Sequence, residues 1–61
     1  MSEELINRVT EYVYNNHTEL KNKTLIVKEI TSDNGVNHFQ ISFDKDSLPI
    51  ILGKNILKEF Q

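Results

Sequence analysis

The sequence has no cysteine and no tryptophan, and it has only one proline and two glycines among its 61 residues. Without cysteine, a disulfide framework and a thiolate zinc site are both excluded. Neither glycine has the neighbours of a phosphate-binding loop. Because so short a chain buries a small fraction of its surface, and disulfides are excluded, we expect it to gain stability by associating with another subunit.

The sequence also lacks a strong excess of either charge, and it has no long apolar run. Seven basic and nine acidic residues give a net charge of −2, and neither sign forms a block longer than two residues. This balance argues against binding of a nucleic-acid backbone, which needs clustered Lys and Arg. No run approaches membrane-spanning length, and the start Met1-Ser2-Glu3-Glu4 lacks the basic and apolar segments of a signal peptide. We therefore expect a single cytoplasmic domain, residues 1–61, without a membrane partner.

Residues that could form a catalytic or metal site are few and scattered. His17 and His38 lie in no recognisable motif and lack the i, i+4 spacing of a helical metal site. Asp44 and Asp46 flank Lys45 in a polar segment typical of a turn. We predict from this pattern that the protein is not an enzyme and has no cofactor or metal.

The N-terminal segment has the pattern of one amphipathic helix, predicted from Glu3 to Lys21. Ser2 can cap its first amides, and acidic residues follow in the first turn, where the helix dipole favours negative charge. The run Asn15-Asn16-His17 weakens its middle, because these residues have poor helix propensity. One face, an arc of roughly 120° at 100° per residue, carries Leu5, Ile6, Val9, Tyr12, Val13, Asn16 and Leu20. Such a helix can cover one face of a sheet.

A β-hairpin is predicted between Thr24 and Phe43, where two β-branched and aromatic runs flank Asn34-Gly35. Its register depends on the length of the loop. A two-residue type I′ turn would place Ile30 opposite Phe39. A three-residue loop that ends in a left-handed glycine shifts this register by one residue and turns every side chain of the first strand to the other face.

The two-residue turn is the favoured alternative on burial grounds. It places Ile26 and Ile30 under the helix and requires only Lys28 to extend its ammonium group to solvent. The three-residue loop instead places Val27 opposite Ile41 and directs the shorter Glu29 toward the core. In both registers the apolar face of the second strand is Phe39, Ile41 and Phe43.

The third apolar run, from Leu48 to Leu52, is predicted to be a short strand. Pro49 lacks an amide hydrogen and suits an edge strand or the first turn of a helix. A turn at Gly53 and a helix from Lys54 to Phe60 would follow. The predicted fold is α+β, an N-terminal amphipathic helix on a small antiparallel meander with a short C-terminal helix. Its order is α-β-β-β-α, with α-β-β-α as the alternative.

The predicted order and two short segments resemble double-stranded-RNA-binding domains. In Gly35-Val36-Asn37-His38 a glycine precedes a histidine by three residues, as in a loop of that family, and Gly53 to Lys58 is similar to the start of its second helix. The resemblance implies that His38, Lys54 and Lys58 contact RNA by shape and phosphate. Val36 stands where the family has proline, and the chain lacks a basic stripe. Nucleic-acid binding is therefore the second hypothesis.

The strands have more apolar side chains than one helix can cover, and this excess favours a different function. The triplets Leu25-Ile26-Val27 and Ile50-Ile51-Leu52 give each strand apolar side chains on both faces, whereas one helix covers one face only. The C-terminal helix of a monomer, or another molecule, must cover the second face. The first hypothesis is a non-catalytic interaction or regulatory module that binds a protein partner or forms a homodimer. The candidate interface residues are Leu25, Val27, Ile50, Ile51 and Leu52. Richness in Asn, Ile and Lys suggests a small phage or prophage accessory protein.

Overall fold

The computed structural model describes residues 2–31, 33–35 and 37–58. Helix α1 (Glu3–Asn16) and a 3₁₀ helix (Thr18–Leu20) precede the strands β1 (Ile26–Thr31), β2 (Asn37–Ser42) and β3 (Ile50–Gly53), and a second 3₁₀ helix (Lys54–Ile56) follows them. The strands form an antiparallel sheet in the order β1-β2-β3. The predicted α+β fold is confirmed, with a single 3₁₀ turn as its short C-terminal helix.

Helix α1 begins where its cap predicts and ends earlier than expected. The hydroxyl of Ser2 accepts a hydrogen bond from the amide of Leu5 at 3.2 Å. The helix ends at Asn16 instead of Lys21, because His17 leaves the helical conformation with φ −133° and ψ 72°. Asn15, Asn16 and His17 have poor helix propensity, so continuing the helix beyond this point is unfavourable.

The hydrophobic core lies between α1 and one face of the sheet. Val9 and Val13, one turn apart on α1, are completely buried, as are Phe39 and Ile41 on the central strand β2. Residues two apart in a strand point to the same side, so Phe39 and Ile41 define the core face of the sheet. Leu20, from the first 3₁₀ helix, completes the buried cluster.

The hairpin loop corrects the register favoured from the sequence. Gly35 has φ +83°, and no described residue other than glycine has a positive φ. A type I′ turn would require a positive φ at Asn34 as well. The two-residue turn is therefore wrong, and the left-handed Gly35 and the strand register are those expected of the alternative, the three-residue loop.

The corrected register exchanges the two faces of β1. Val27 lies opposite Ile41 and Glu29 opposite Phe39, so Val27 and Glu29 share the core face. Ile26 and Ile30, expected under the helix, lie on the other face instead. Placing Glu29 on the core face is tolerated because β1 is an edge strand, where the carboxylate keeps access to solvent and pairs with the ammonium group of Lys54.

The third strand begins two residues later and ends one residue later than predicted. It spans Ile50–Gly53, whereas Leu48 and Pro49 precede it in the connection from β2. A proline at this position has no amide hydrogen to donate to a ladder. Gly53, predicted to form a turn, is the last residue of β3.

The C-terminal 3₁₀ helix lies on the same side of the sheet as α1. Ile56 and Leu57 pack against the buried cluster formed by α1 and β2. The helix predicted from Lys54 to Phe60 is a 3₁₀ helix over Lys54–Ile56, and residues 59 and 60 lie outside the described part of the chain. The described part of the segment, up to residue 58, therefore adds to the core side of the sheet and does not cover the second face.

Candidate functional site

The face of the sheet opposite the core, here called the open face, is the candidate site. The strand register places every second cross-strand pair on this face. From one end of the sheet to the other, these rows are Ile26 and Ser42, then Lys28, Gln40 and Ile51, then Ile30, His38 and Gly53. Of these residues, only Lys28 carries a permanent charge. Ile26 is 57% exposed and Ile51 is 51% exposed. Since α1 and the C-terminal 3₁₀ helix both pack on the core face, no described helix covers these side chains.

A groove of about 430 Å³ lies at one end of the open face. Its lining combines the first row of that face with the segment that enters β1 and the connection between β2 and β3. The lining residues are Thr24, Ile26, Gln40, Ser42, Phe43, Asp44, Lys45, Ser47 and Pro49. Ile26, Phe43 and Pro49 supply apolar surface, and hydroxyl, amide and charged groups surround it. The volume is that of a small ligand site or of a recess for a side chain.

The connection that borders the groove is held by a short chain of polar contacts. The amide of Ser47 donates to the carbonyl of Asp44 at 3.3 Å, closing a turn. The ammonium group of Lys23 lies 3.3 Å from the carboxylate of Asp44. The hydroxyl of Tyr14 donates to the carbonyl of Lys23 at 2.6 Å. Through these contacts α1 fixes the entry to β1, which in turn positions the groove's acidic border.

Leu48 stands beside the groove with its side chain 89% exposed, the highest value among the large apolar residues described. Its neighbours Ser47 and Pro49 both line the groove. A single exposed leucine is ordinary on a protein surface. Leu48 is considered together with the site because it lies between two residues that line the groove.

The candidate interface residues predicted from the sequence do not share one surface. Leu25, Val27, Ile50 and Leu52 are half-buried and pack against the core cluster. Ile51 lies on the open face. The sequence reasoning missed Ile26 and Ile30 because it assumed the two-residue turn. A usable signal was present, since serine at position 32 and glycine at position 35 suit the first and fourth positions of a type I turn.

The three candidate RNA contacts also lie apart. His38 is half-buried on the open face, opposite Ile30. The ammonium group of Lys54 pairs with Glu29, which belongs to the core face. Lys58 is exposed beyond the C-terminal 3₁₀ helix. His38 therefore lies on the opposite face of the sheet from Glu29, the residue that Lys54 pairs with, and nucleic-acid binding stays a prediction from the sequence.

The Glu29–Lys54 pair predicts a specific pH dependence. The hydrogen bond from Lys54 lowers the pKa of Glu29, and the charge of Lys54 acts in the same direction, while partial desolvation opposes them. A lowered carboxyl pKa contributes stability at neutral pH that is lost as the pH falls through the folded-state value. We expect Glu29→Gln to flatten the decrease in the urea midpoint from about pH 5 downward.

A carboxylate elsewhere serves as the matched control for this measurement. Glu11→Gln, on the exposed side of α1, should leave the acid dependence of the midpoint as in the wild type. Equal acid dependence in the wild type and in Glu29→Gln would contradict a stabilising role for the pair. The size of the effect is limited by the solvent exposure of the glutamate side chain.

Residues 2–31, 33–35 and 37–58 contain no group of three or more His, Cys, Asp or Glu side chains placed to hold a metal ion. No helix among them has the length and apolarity needed to cross a bilayer. Comparisons of the chain with protein-family models, with curated proteins and with solved structures find no match.

Proposed function

We propose that this protein is a non-catalytic interaction module that associates with a second copy of itself through the open face. The observation that carries the proposal is the pair of isoleucines, Ile26 and Ile51, each more than half exposed on a face that no described helix covers. Burial of such side chains is favourable by about 1.5–3 kcal/mol each when complete. Because both side chains are already almost half buried, a partner that covers the face would recover about half of this free energy.

The composition of the open face suits contact with another protein surface. Its polar members are mainly neutral: Gln40, Ser42 and His38 can donate or accept hydrogen bonds without the cost of burying a permanent charge. Lys28 lies on the edge strand β1, so its ammonium group can reach the rim of an interface while its methylenes stay within it. The open face thus has isoleucines on its two edge strands and hydrogen-bonding groups on the central strand, and a similar mixture of apolar and polar surface is found in interfaces between separately folded proteins.

Self-association is favoured over a foreign partner by the size of the domain. Only five side chains are fully or almost fully buried among the apolar residues described, which is a small core for an independent domain. A standard interface buries roughly 800 Å² per partner, against a total accessible surface of 4512 Å². Two copies that pack their open faces by a two-fold axis would add a second apolar layer to each sheet.

The experiment that tests the proposal is light scattering over a concentration series with an Ile51→Glu variant. We expect the wild type to be dimeric at high concentration and the substitution to raise the dimer dissociation constant by roughly tenfold or more, because each dimer would bury two carboxylates. Ile51→Thr keeps a β-branched side chain and should weaken the dimer less.

The control variant Asn15→Glu adds the same charge on an exposed position of α1, away from the open face. It should leave the molar mass unchanged. A wild type that stays monomeric at millimolar concentration, or an Ile51→Glu variant that dimerises like the wild type, would overturn the proposal. Circular dichroism of each variant separates loss of association from loss of folding.

A further inference from the structure

Leu48 is a protruding apolar side chain, and its two neighbours in sequence, Ser47 and Pro49, line the groove beside it. Leu48 is 89% exposed, although the groove formed with its own neighbours offers apolar surface from Ile26, Phe43 and Pro49. The leucine therefore does not occupy the recess of its own chain. A side chain of that size needs an apolar site of this kind to leave water.

We propose that Leu48 of each copy inserts into the groove of the other copy in the dimer. This inference rests on the proposed association through the open face and names the contact that fixes its geometry. In a two-fold dimer any contact occurs twice, so a leucine that fits the groove of a second copy is matched by the reverse insertion. Because Leu48 adjoins the groove in sequence, one axis passing near the β2–β3 connection permits both insertions.

The borders of the groove are compatible with a second copy of the same chain. Asp44 and Lys45 contribute one acidic and one basic group to its lining, and Asp46 is exposed on the same turn. A two-fold axis near this turn can bring Lys45 of one copy toward Asp46 of the other, while Asp44 keeps its pair with Lys23 of its own chain. Such self-complementary charge orients the partners and contributes little affinity at an exposed rim.

Substitution of Leu48 tests the insertion without disturbing the fold, since the side chain contacts little of its own chain. We expect Leu48→Asp to raise the dimer dissociation constant roughly tenfold, as measured by light scattering or sedimentation. Leu48→Met preserves an apolar side chain of similar volume and should retain association close to that of the wild type.

Cysteine pairing tests the geometry directly, because the wild-type chain contains no cysteine. Equal amounts of Leu48→Cys and Ser42→Cys proteins are mixed, oxidised and analysed by mass spectrometry. We expect the mixed 42–48 disulfide to exceed the amount given by random pairing, since Ser42 lines the groove. Leu48→Cys mixed with Asn15→Cys, on the exposed side of α1, should show no such excess.

The outcomes separate this inference from the proposed function. Weakened association of Leu48→Asp together with excess 42–48 linkage supports the insertion. Dissociation by Ile51→Glu with unaffected Leu48→Asp dimers and random linkage would overturn the insertion and leave association through the open face intact. A monomeric wild type would overturn both proposals.

Discussion

A Phe39→Ala variant should lose a large part of its free energy of unfolding at 25 °C. The ring of Phe39 is completely buried at the centre of the sheet, within the cluster that includes Val9 and Val13. Truncating a buried phenylalanine costs about 3–5 kcal/mol. At about 0.05–0.15 kcal/mol per residue, a domain of this length has roughly 3–9 kcal/mol of total stability. Far-UV circular dichroism and urea unfolding measure the loss.

Two further substitutions calibrate that result. Phe39→Leu keeps most of the apolar volume and should cost less than the alanine substitution. Phe43→Ala removes the same ring from a half-buried position at the end of the sheet, and we expect a smaller decrease in the urea midpoint. A midpoint for Phe39→Ala close to that of the wild type would contradict the packing of α1 on β2.

The element order and most of the core could be predicted because they depend on local patterns. The spacing of Val9 and Val13 and the cap at Ser2 indicate the helix without knowledge of the fold. Phe39 and Ile41 were placed on the apolar face of the second strand in either hairpin register. Their burial follows from alternation within one strand, so the uncertainty at the loop did not affect it.

Burial on β1 alone could not predict the register, because the cost of placing Glu29 on the core face depends on a contact between residues far apart in sequence. Glu29 on the core face was the argument against the three-residue loop. In the fold, Lys54 from the C-terminal 3₁₀ helix supplies the opposite charge. No pattern near Glu29 shows that this lysine will be there. The preference was therefore drawn from β1 alone, and it was wrong.

The candidate site could likewise be predicted where it depends on local patterns, and could not where it depends on contacts distant in sequence. Two unbroken aliphatic triplets correctly indicated strands that are apolar on both faces, since the middle residue of each, Ile26 or Ile51, lies on the open face and its flanking residues pack toward the core. In β1, the middle residue could be identified only with knowledge of the register. The groove depends on the path of the β2–β3 connection, which Lys23 and Tyr14 hold through contacts distant in sequence.

Substituting Gly35 tests the feature on which the register depends. Gly35→Val should lower the free energy of unfolding by about 2 kcal/mol, because a β-branched residue is strained at positive φ. A Cβ atom at this position would meet nothing within 4 Å, so urea unfolding reports backbone strain without a steric clash. Gly35→Asn, which tolerates the left-handed conformation better, should cost clearly less.

The strained hairpin should nevertheless keep its register. A one-residue slip would turn Val27 out of the core, separate Glu29 from Lys54 and move Lys28 to the helix side of the sheet. We therefore expect folded Gly35→Val to be less stable yet to dimerise with the wild-type dissociation constant, since Ile26 stays on the open face. Wild-type stability in Gly35→Val would contradict the left-handed loop, and loss of dimerisation in the folded variant would show that the register had moved.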